Sequence, residues 1–183
     1  MIYEFYRVLN FISVILLALL FSAVQSVLLK VSVFSWLELD LLLILVAYLS
    51  LYRGLFEGVV LVLIISRIAE IHSTAPSGVL LACYFGMFLI IFVAKEMLLV
   101  SASFSSIILS VSGGVVWKIL FLLVAYYLGF FENVWKASLQ YMIPFLLGVG
   151  LFSHYVFELM HRLDGITKFD RESDSRRFTS EDF

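Results

Sequence analysis

The sequence predicts an all-α, polytopic membrane protein with about six transmembrane helices in one bundle and a polar tail. Of its 183 residues, 63% are hydrophobic and 14% are charged, whereas about half of an ordinary globular domain is apolar. A soluble domain of this size keeps a large surface and cannot hide so many apolar side chains. The apolar runs are continuous rather than alternating, which is typical of spanning helices and not of a membrane barrel.

The charges are concentrated at the C-terminus and divide the chain in two. The last 22 residues, Arg162–Phe183, hold 11 of the 26 charged side chains. We therefore expect a transmembrane domain over residues 1–164 and a charged, disordered, cytoplasmic tail over residues 165–183. The tail either touches a cytoplasmic partner or is simply solvated. The net charge of −2, without a basic cluster outside the tail, argues against nucleic-acid binding.

The first three predicted spans are separated by short polar breaks. Span one covers about residues 8–29; it is longer than the apolar region of a signal peptide and no clear cleavage site follows it, so we expect it to be retained. Span two covers about 37–52, with Asp40 in its first turn, where the helix dipole favours an acid. Span three, about 54–68, follows directly after Arg53, so these two spans form a tight hairpin.

The last three predicted spans cover about residues 79–94, 105–130 and 137–160. A turn at 73–78, indicated by its Ser, Pro and Gly content, precedes the first of them. A polar break at Glu132-Asn133 separates the last two. The serine-rich stretch at 97–112 fits either an interfacial segment or the start of a long helix.

Six spans place both termini on one side of the membrane, and the basic residues indicate which side. With both termini in the cytoplasm, eight basic residues lie at inner ends and three at outer ends, in agreement with the positive-inside rule. The inner residues are Arg7, Arg53, Lys95, Arg162, Lys168, Arg171, Arg176 and Arg177, and the outer ones are Lys30, Arg67 and Lys136.

Ionisable residues at membrane depth must face protein or water, because each costs about 2.5–3.5 kcal/mol to insert. Glu57 lies between Gly54 and Gly58, whose spacing lets another helix approach closely. It either contacts a partner helix or reaches the nearby interface. Arg67 and Glu70 are three residues apart on one helix face, and we expect them to form an ion pair.

Two further groups of polar residues fall within predicted spans. Lys118 lies near the middle of span five, so it either finds an acid on another helix, reaches the interface, or marks a misplaced boundary. His154, Glu158 and His161 share one face of span six, at a spacing that could hold a divalent metal. The preferred interpretation is a polar stripe packed against a neighbouring helix. No phosphate-binding loop, nucleophile elbow or zinc-protease motif is present, so we predict neither an enzyme nor a cofactor.

Several short motifs follow one another along the chain. Gln25-Ser26 ends span one. An acidic-leucine run opens span two, which closes on an Arg-Gly turn, and an acid and a Ser/Pro/Gly loop follow span three. The residues concerned are 25–26, 38–43, 52–54, Glu70, Ser73, Pro76, Ser77 and Gly78–Leu81. Together they resemble the rod shape-determining MreD family, and Arg162-Leu163-Asp164 is similar to that family's C-terminal end. Leu39 stands where the family has proline, and Glu70 where it has aspartate.

The resemblance implies a small multi-pass protein of the bacterial inner membrane, similar in fold to the substrate-binding components of ECF transporters. It implies a non-catalytic part of the cell-elongation machinery that regulates peptidoglycan synthesis. The implied partners are an MreC-like bitopic protein, MreB filaments, and the RodA glycosyltransferase with its penicillin-binding transpeptidase. The residues expected to serve structure and contacts are Asp40, Arg53, Gly54, Glu57, Gly58, Glu70, Pro76 and Gly78.

Two other functions stay open at this point. An ECF-type solute-binding membrane component requires a polar outer pocket, lined by residues such as Glu70, His72 and Asn133. A small metal or proton transporter would use Glu158 and His154.

Overall fold

The structure of the protein is a computed structural model that describes residues 2–28, 39–73, 75–98 and 106–167. Within these ranges it is all-helical, with seven helices and no strand. The helices are α1 (Ile2–Leu28), α2 (Leu41–Tyr52), α3 (Leu55–Ile71), α4 (Val79–Leu98), α5 (Ser106–Tyr127), α6 (Phe131–Gln140) and α7 (Met142–Ile166).

Helix α2 is the centre of the molecule. All of its residues from Leu41 to Ser50 are buried, and it contacts α1, α3, α4, α5 and α7. Its 12 residues extend only about 18 Å at 1.5 Å per residue. The 27-residue helix α1 reaches both ends of α2, since Asn10 contacts Arg53 at one end and Gln25 lines a cavity with Asp40 at the other. The polar residues at those ends are therefore enclosed by neighbouring helices.

Three of the described helices are long and apolar enough to cross a membrane, namely Tyr6–Val27, Ile107–Tyr127 and Met142–Ile166. Their outward faces are apolar, with side chains such as Leu16, Ile119 and Leu151 at least 57% exposed. Exposed apolar surface of this extent suits contact with hydrocarbon rather than with water. Helices α2 and Val79–Lys95 are apolar but shorter.

The predicted hairpin between spans two and three is present. The Arg53 N–H donates to the Leu49 carbonyl at 3.0 Å and ends α2. Gly54 is the N-cap of α3, and its carbonyl accepts from the Gly58 N–H at 2.9 Å. Two extended residues thus reverse the chain. Asp40, expected in the first turn of span two, is instead its N-cap residue.

The predicted polar break at Glu132-Asn133 does lie between the last two apolar spans, Ile107–Tyr127 and Met142–Ile166, and both residues are part of the short helix α6. This short helix is amphipathic, so its polar residues are compatible with a helix whose other face packs on the bundle. The helical chain is interrupted on both sides of α6, at residues 128–130 and at Tyr141. Pro144 then falls in the first turn of α7, where a missing N–H removes no helical hydrogen bond.

The two predicted domains meet close to the end of α7. That helix continues to Ile166, two residues past the predicted boundary at 164. The predicted tail from residue 168 onward lies outside the described residues, as do residues 99–105 of the serine-rich stretch and the predicted start of span two at 37–38.

Candidate functional site

A buried ionic cluster, the Arg53 cluster, lies at the C-terminal end of α2 and consists of Asn10, Tyr48, Arg53, Glu57 and Asp164. The Arg53 side chain is fully buried and its Nη2 is 2.5 Å from Asp164 Oδ1. Its Nη1 is 3.2 Å from Glu57 Oε1. The Tyr48 hydroxyl donates to the second oxygen of Asp164 at 2.7 Å.

Asn10 extends the Arg53 cluster to α1. Its Oδ1 accepts from Arg53 Nη2 at 2.7 Å, and its Nδ2 donates to Asp164 Oδ1 at 2.9 Å. The same amide donates to the Thr167 hydroxyl at 2.5 Å. Arg7 reaches Glu57 at 3.8 Å. The start of α1 and the end of α7 therefore lie at the same end of the bundle, joined through the turn between α2 and α3.

A polar cleft lies at the opposite, N-terminal end of α2; we call it the Asp40 cleft. It has a volume of about 620 Å³, and its lining includes Gln25, Asp40, His72, Tyr84 and Trp117. Asp40 Oδ1 accepts from the Leu43 N–H at 3.0 Å and caps α2. Asp40 Oδ2 accepts from the Tyr84 hydroxyl at 2.5 Å. The carboxylate is held in place and is part of the cleft wall.

Two polar atoms in the wall of the Asp40 cleft have no hydrogen-bond partner among the described residues. They are the indole Nε1 of Trp117 and the amide Oε1 of Gln25. Trp117 is only 9% exposed. A buried donor without a partner is uncommon and calls for an explanation.

A second cavity, the Lys118 cavity, adjoins the Asp40 cleft and has a volume of about 500 Å³. Ser73, Leu80 and Trp117 line both. Lys118 is buried, and its Nζ is 4.7 Å from the centroid of the Phe145 ring. Lys118 lies near the middle of α5, so of the three explanations left open for it, a misplaced span boundary is wrong.

Glu70 organises the loop between α3 and α4. Its Oε1 accepts from the Gly78 N–H at 2.7 Å and from the Leu81 N–H at 3.2 Å, which caps the start of α4. The predicted pair with Arg67 is confirmed at 2.9 Å. Gly78 has φ of +92°, a left-handed backbone conformation that favours glycine. The carbonyl of Pro76 accepts from the Val79 N–H at 3.2 Å.

Of the two glycines Gly54 and Gly58, Gly58 is the one that packs closely against another described helix. A Cβ added to Gly58 would lie 2.6 Å from the tip of the Phe88 ring of α4, whereas no described residue lies within 4 Å of such an atom at Gly54. Gly58 therefore allows α4 to pack closely against α3. Glu57, between them, contacts residues of this chain rather than only the interface.

His154, Glu158 and His161 do share a side of α7, but they are engaged separately. Glu158 accepts from Arg162 at 2.9 Å, and the His161 ring packs edge-on against Tyr48 and Tyr52. Within the described part of the chain, no group of three His, Cys, Asp or Glu side chains is arranged to hold a metal ion.

Sequence reasoning singled out Asp40, Arg53, Glu57 and Glu70 but missed several of their partners. Asn10, Tyr48 and Tyr84 are single polar groups within apolar helices, and nothing local distinguishes a tyrosine that bonds a carboxylate from one that fills space. For Asn10 a signal existed, because an amide inside an apolar span must find a partner. Of the residues proposed to line a solute pocket, His72 lines the Asp40 cleft, while Glu70 caps α4.

The two ends of α2 can do different chemistry. The Arg53 cluster joins four helices through ion pairs and through hydrogen bonds of Asn10 and Tyr48, which holds helices in register. The Asp40 cleft presents a carboxylate beside open space, with one acceptor and one donor that have no partner among the described residues, which suits a small polar ligand. Comparison of the chain with protein-family models, curated proteins and solved structures found no match in any of the three.

Proposed function

We propose that this protein is a non-catalytic component of the bacterial cell-elongation machinery, similar to MreD proteins. In this proposal six helices cross the inner membrane, both termini are cytoplasmic, and the Arg53 cluster lies at the cytoplasmic end. The protein regulates peptidoglycan synthesis by binding an MreC-like bitopic protein, MreB filaments, and RodA with its transpeptidase partner.

One observation carries the proposal. The Arg-Gly turn and the Arg-Leu-Asp end are two motifs of the resemblance that lie far apart in the chain, since Arg53 and Asp164 are separated by 111 residues. Arg53 of the first and Asp164 of the second meet in a buried pair at 2.5 Å. A chance likeness of two short motifs gives no reason for them to meet. A shared fold does, because each motif then contributes one half of the same ionic contact.

The contacts of the charged side chains also support a scaffolding function. Arg53 pairs with both Glu57 and Asp164, and Asp40 and Glu70 accept from backbone N–H groups at helix starts. Each therefore fixes the position of a helix. A rigid arrangement of helices is what a membrane protein needs in order to present a constant surface to other membrane proteins.

The proposal is tested by co-purification. The full chain carrying an affinity tag is extracted in a mild detergent from the cells that produce it, and the captured proteins are quantified by mass spectrometry. An unrelated multi-pass protein of similar abundance, carrying the same tag, is the control. We expect an MreC-like protein and the synthase pair to be enriched at least tenfold over that control. Depletion of the protein is expected to turn rod-shaped cells round.

A second bait that ends at Thr167 separates the membrane domain from the tail. If the membrane domain makes the contacts with the MreC-like protein, the shorter bait retains that protein. Loss of MreB alone from the shorter bait assigns that contact to residues 168–183. Capture of none of these partners by the full chain, together with unchanged cell shape on depletion, overturns the proposal.

A further inference from the structure

The wall of the Asp40 cleft is rich in hydrogen-bond acceptors. It contains the Asp40 carboxylate and the Gln25 Oε1 atom, which has no partner among the described residues. A carboxylate offers about four lone-pair sites, and the Leu43 N–H and the Tyr84 hydroxyl occupy one on each oxygen. Among the described residues, neither Lys nor Arg lines the cleft. Its occupant should therefore carry positive charge and several N–H donors.

The adjoining Lys118 cavity has the opposite character. Lys118 supplies a cation to its wall, and the apolar side chains Phe121, Phe130 and Val134 line the rest of it. An anionic group is therefore favoured beside Lys118, with an apolar chain next to it.

Trp117 belongs to both cavities. Its indole N–H is buried and has no partner in the described part of the chain, so it is a donor in need of an acceptor oxygen. The volumes of about 620 and 500 Å³ lie within the range of about 300–1,000 Å³ that small-molecule sites occupy.

We propose that the Asp40 cleft and the Lys118 cavity together bind a zwitterion of the phosphoethanolamine type. Its primary ammonium donates to Asp40 and Gln25, its phosphate accepts from the Trp117 N–H and pairs with Lys118, and any acyl chain lies along the apolar side of the Lys118 cavity. Two sources supply this chemistry, a phosphatidylethanolamine headgroup and a free phosphoethanolamine ester. The proposal is independent of the scaffolding function and stands on the two cavities alone.

Lipid retention measures this binding directly. The full chain is purified in detergent, incubated with equimolar phosphatidylethanolamine and phosphatidylcholine, and examined by native mass spectrometry. Phosphatidylcholine is the matched control because its trimethylated nitrogen keeps the positive charge but has no N–H donor. We expect at least a fivefold preference for phosphatidylethanolamine. Equal retention of the two lipids overturns the assignment of the ammonium to Asp40 and Gln25.

Two tryptophan variants place the site. Trp117→Phe keeps an aromatic ring and removes the indole N–H, so we expect retention of phosphatidylethanolamine to fall roughly fivefold, as for the loss of one hydrogen bond. Trp135→Phe is the control, because Trp135 lines neither cavity, and should retain the lipid fully. Equal losses in both variants overturn the proposed location. Asp40→Asn, which keeps a capping side chain but removes the charge, provides an independent variant with the same expected loss.

The soluble ester glycerophosphoethanolamine separates the two sources. Its binding is measured by calorimetry, and its competition with bound phosphatidylethanolamine by mass spectrometry. If glycerophosphoethanolamine binds and competes with the lipid, the headgroup is the part that is recognised, and a free ester is a ligand as well. Selective lipid retention without ester binding assigns the site to the lipid. If neither molecule binds selectively, the proposal fails and the scaffolding function is unaffected.

Discussion

The two ends of the central helix α2 differ in how their buried charges are compensated. At the C-terminal end, Arg53 lies between Asp164 at 2.5 Å and Glu57 at 3.2 Å. At the N-terminal end, Asp40 is held by a hydroxyl and a backbone N–H and forms part of a cleft of about 620 Å³. One end is filled by side chains of the same molecule, and the other leaves space beside its charge.

From this difference we expect the two ends of α2 to have different roles. Side chains that fill their own environment stabilise the arrangement of helices, and their removal should lower stability. Side chains around an open cleft can exchange a partner for water or for a ligand, so their removal should change binding more than stability. The following substitutions test that division.

The largest effect is expected for Arg53→Met. Removal of this buried cation leaves Asp164 and Glu57 without their closest partner, and breaking a buried pair from one side costs about 3–5 kcal/mol. We expect the variant to unfold at much lower denaturant concentration in detergent, or to fail to accumulate in the membrane. Equilibrium unfolding, followed by circular dichroism, measures the loss.

Arg162→Met is the matched control for Arg53→Met. Arg162 pairs with Glu158 at a similar distance, 2.9 Å, but its side chain is 72% exposed, and exposed pairs contribute about 0–1 kcal/mol. Combining Arg53→Met with Asp164→Leu removes both charges of the buried pair and should restore part of the stability. Similar losses for Arg53→Met and Arg162→Met would contradict the structural role of the Arg53 cluster.

Two tyrosines allow the same change to be made at both ends of α2. Tyr48 donates to Asp164 at 2.7 Å, and Tyr84 donates to Asp40 at 2.5 Å. Tyr48→Phe should lower the free energy of unfolding by about 1.5–3 kcal/mol, as for a hydrogen bond to a charged group. Tyr84→Phe should cost less than half of that, because water in the Asp40 cleft can replace the hydroxyl.

Parallel unfolding titrations of the two tyrosine variants measure this difference. A larger loss for Tyr84→Phe than for Tyr48→Phe would show that the Asp40 end, and not the Arg53 end, is the rigid part of the bundle. The wild-type chain and Tyr155→Phe, at a tyrosine that is 72% exposed, provide the reference values.

The sequence predicts the helices of this protein better than their arrangement. Continuous apolar runs predict helices, and the Arg53–Gly54 turn is found where the sequence places it, because charge and glycine interrupt an otherwise apolar run. The burial of α2 on all sides could not be predicted. A run of leucines is equally compatible with lipid and with a protein interior, since both are apolar.

The polar sites were predictable only in part, for a related reason. Arg67 and Glu70 are three residues apart, so helix geometry alone brings them together. Arg53 and Asp164 are 111 residues apart, and no local rule pairs them. The helix α6 at the polar break Glu132-Asn133 could not be predicted, because a short amphipathic helix has the same polarity as a loop.

Helices α3 and α4 approach each other closely at Gly58, beside the Arg53 cluster. Gly58→Ala places a methyl group 2.6 Å from the Phe88 ring, which is fully buried, and overpacking of this kind costs about 1–3 kcal/mol. Gly54→Ala is the control because its Cβ meets no described residue within 4 Å. Thermal unfolding of the two variants in detergent should show a lower midpoint for Gly58→Ala alone. Equal midpoints would mean that Phe88 moves aside at little cost.

The smallest effect is expected at Glu70, near the open end, where a carboxylate caps a helix instead of filling an ionic cluster. Glu70→Ala removes the acceptor for the Gly78 and Leu81 N–H groups and should cost about 1 kcal/mol, as for the loss of an N-cap. Glu70→Gln keeps an acceptor oxygen and loses only the pair with Arg67, which is 62% exposed, so it should cost less than about 0.5 kcal/mol. Unfolding titrations distinguish these values. If Glu70→Gln costs as much as Glu70→Ala, charge rather than capping is what matters at Glu70, and both ends of the bundle depend on ion pairs.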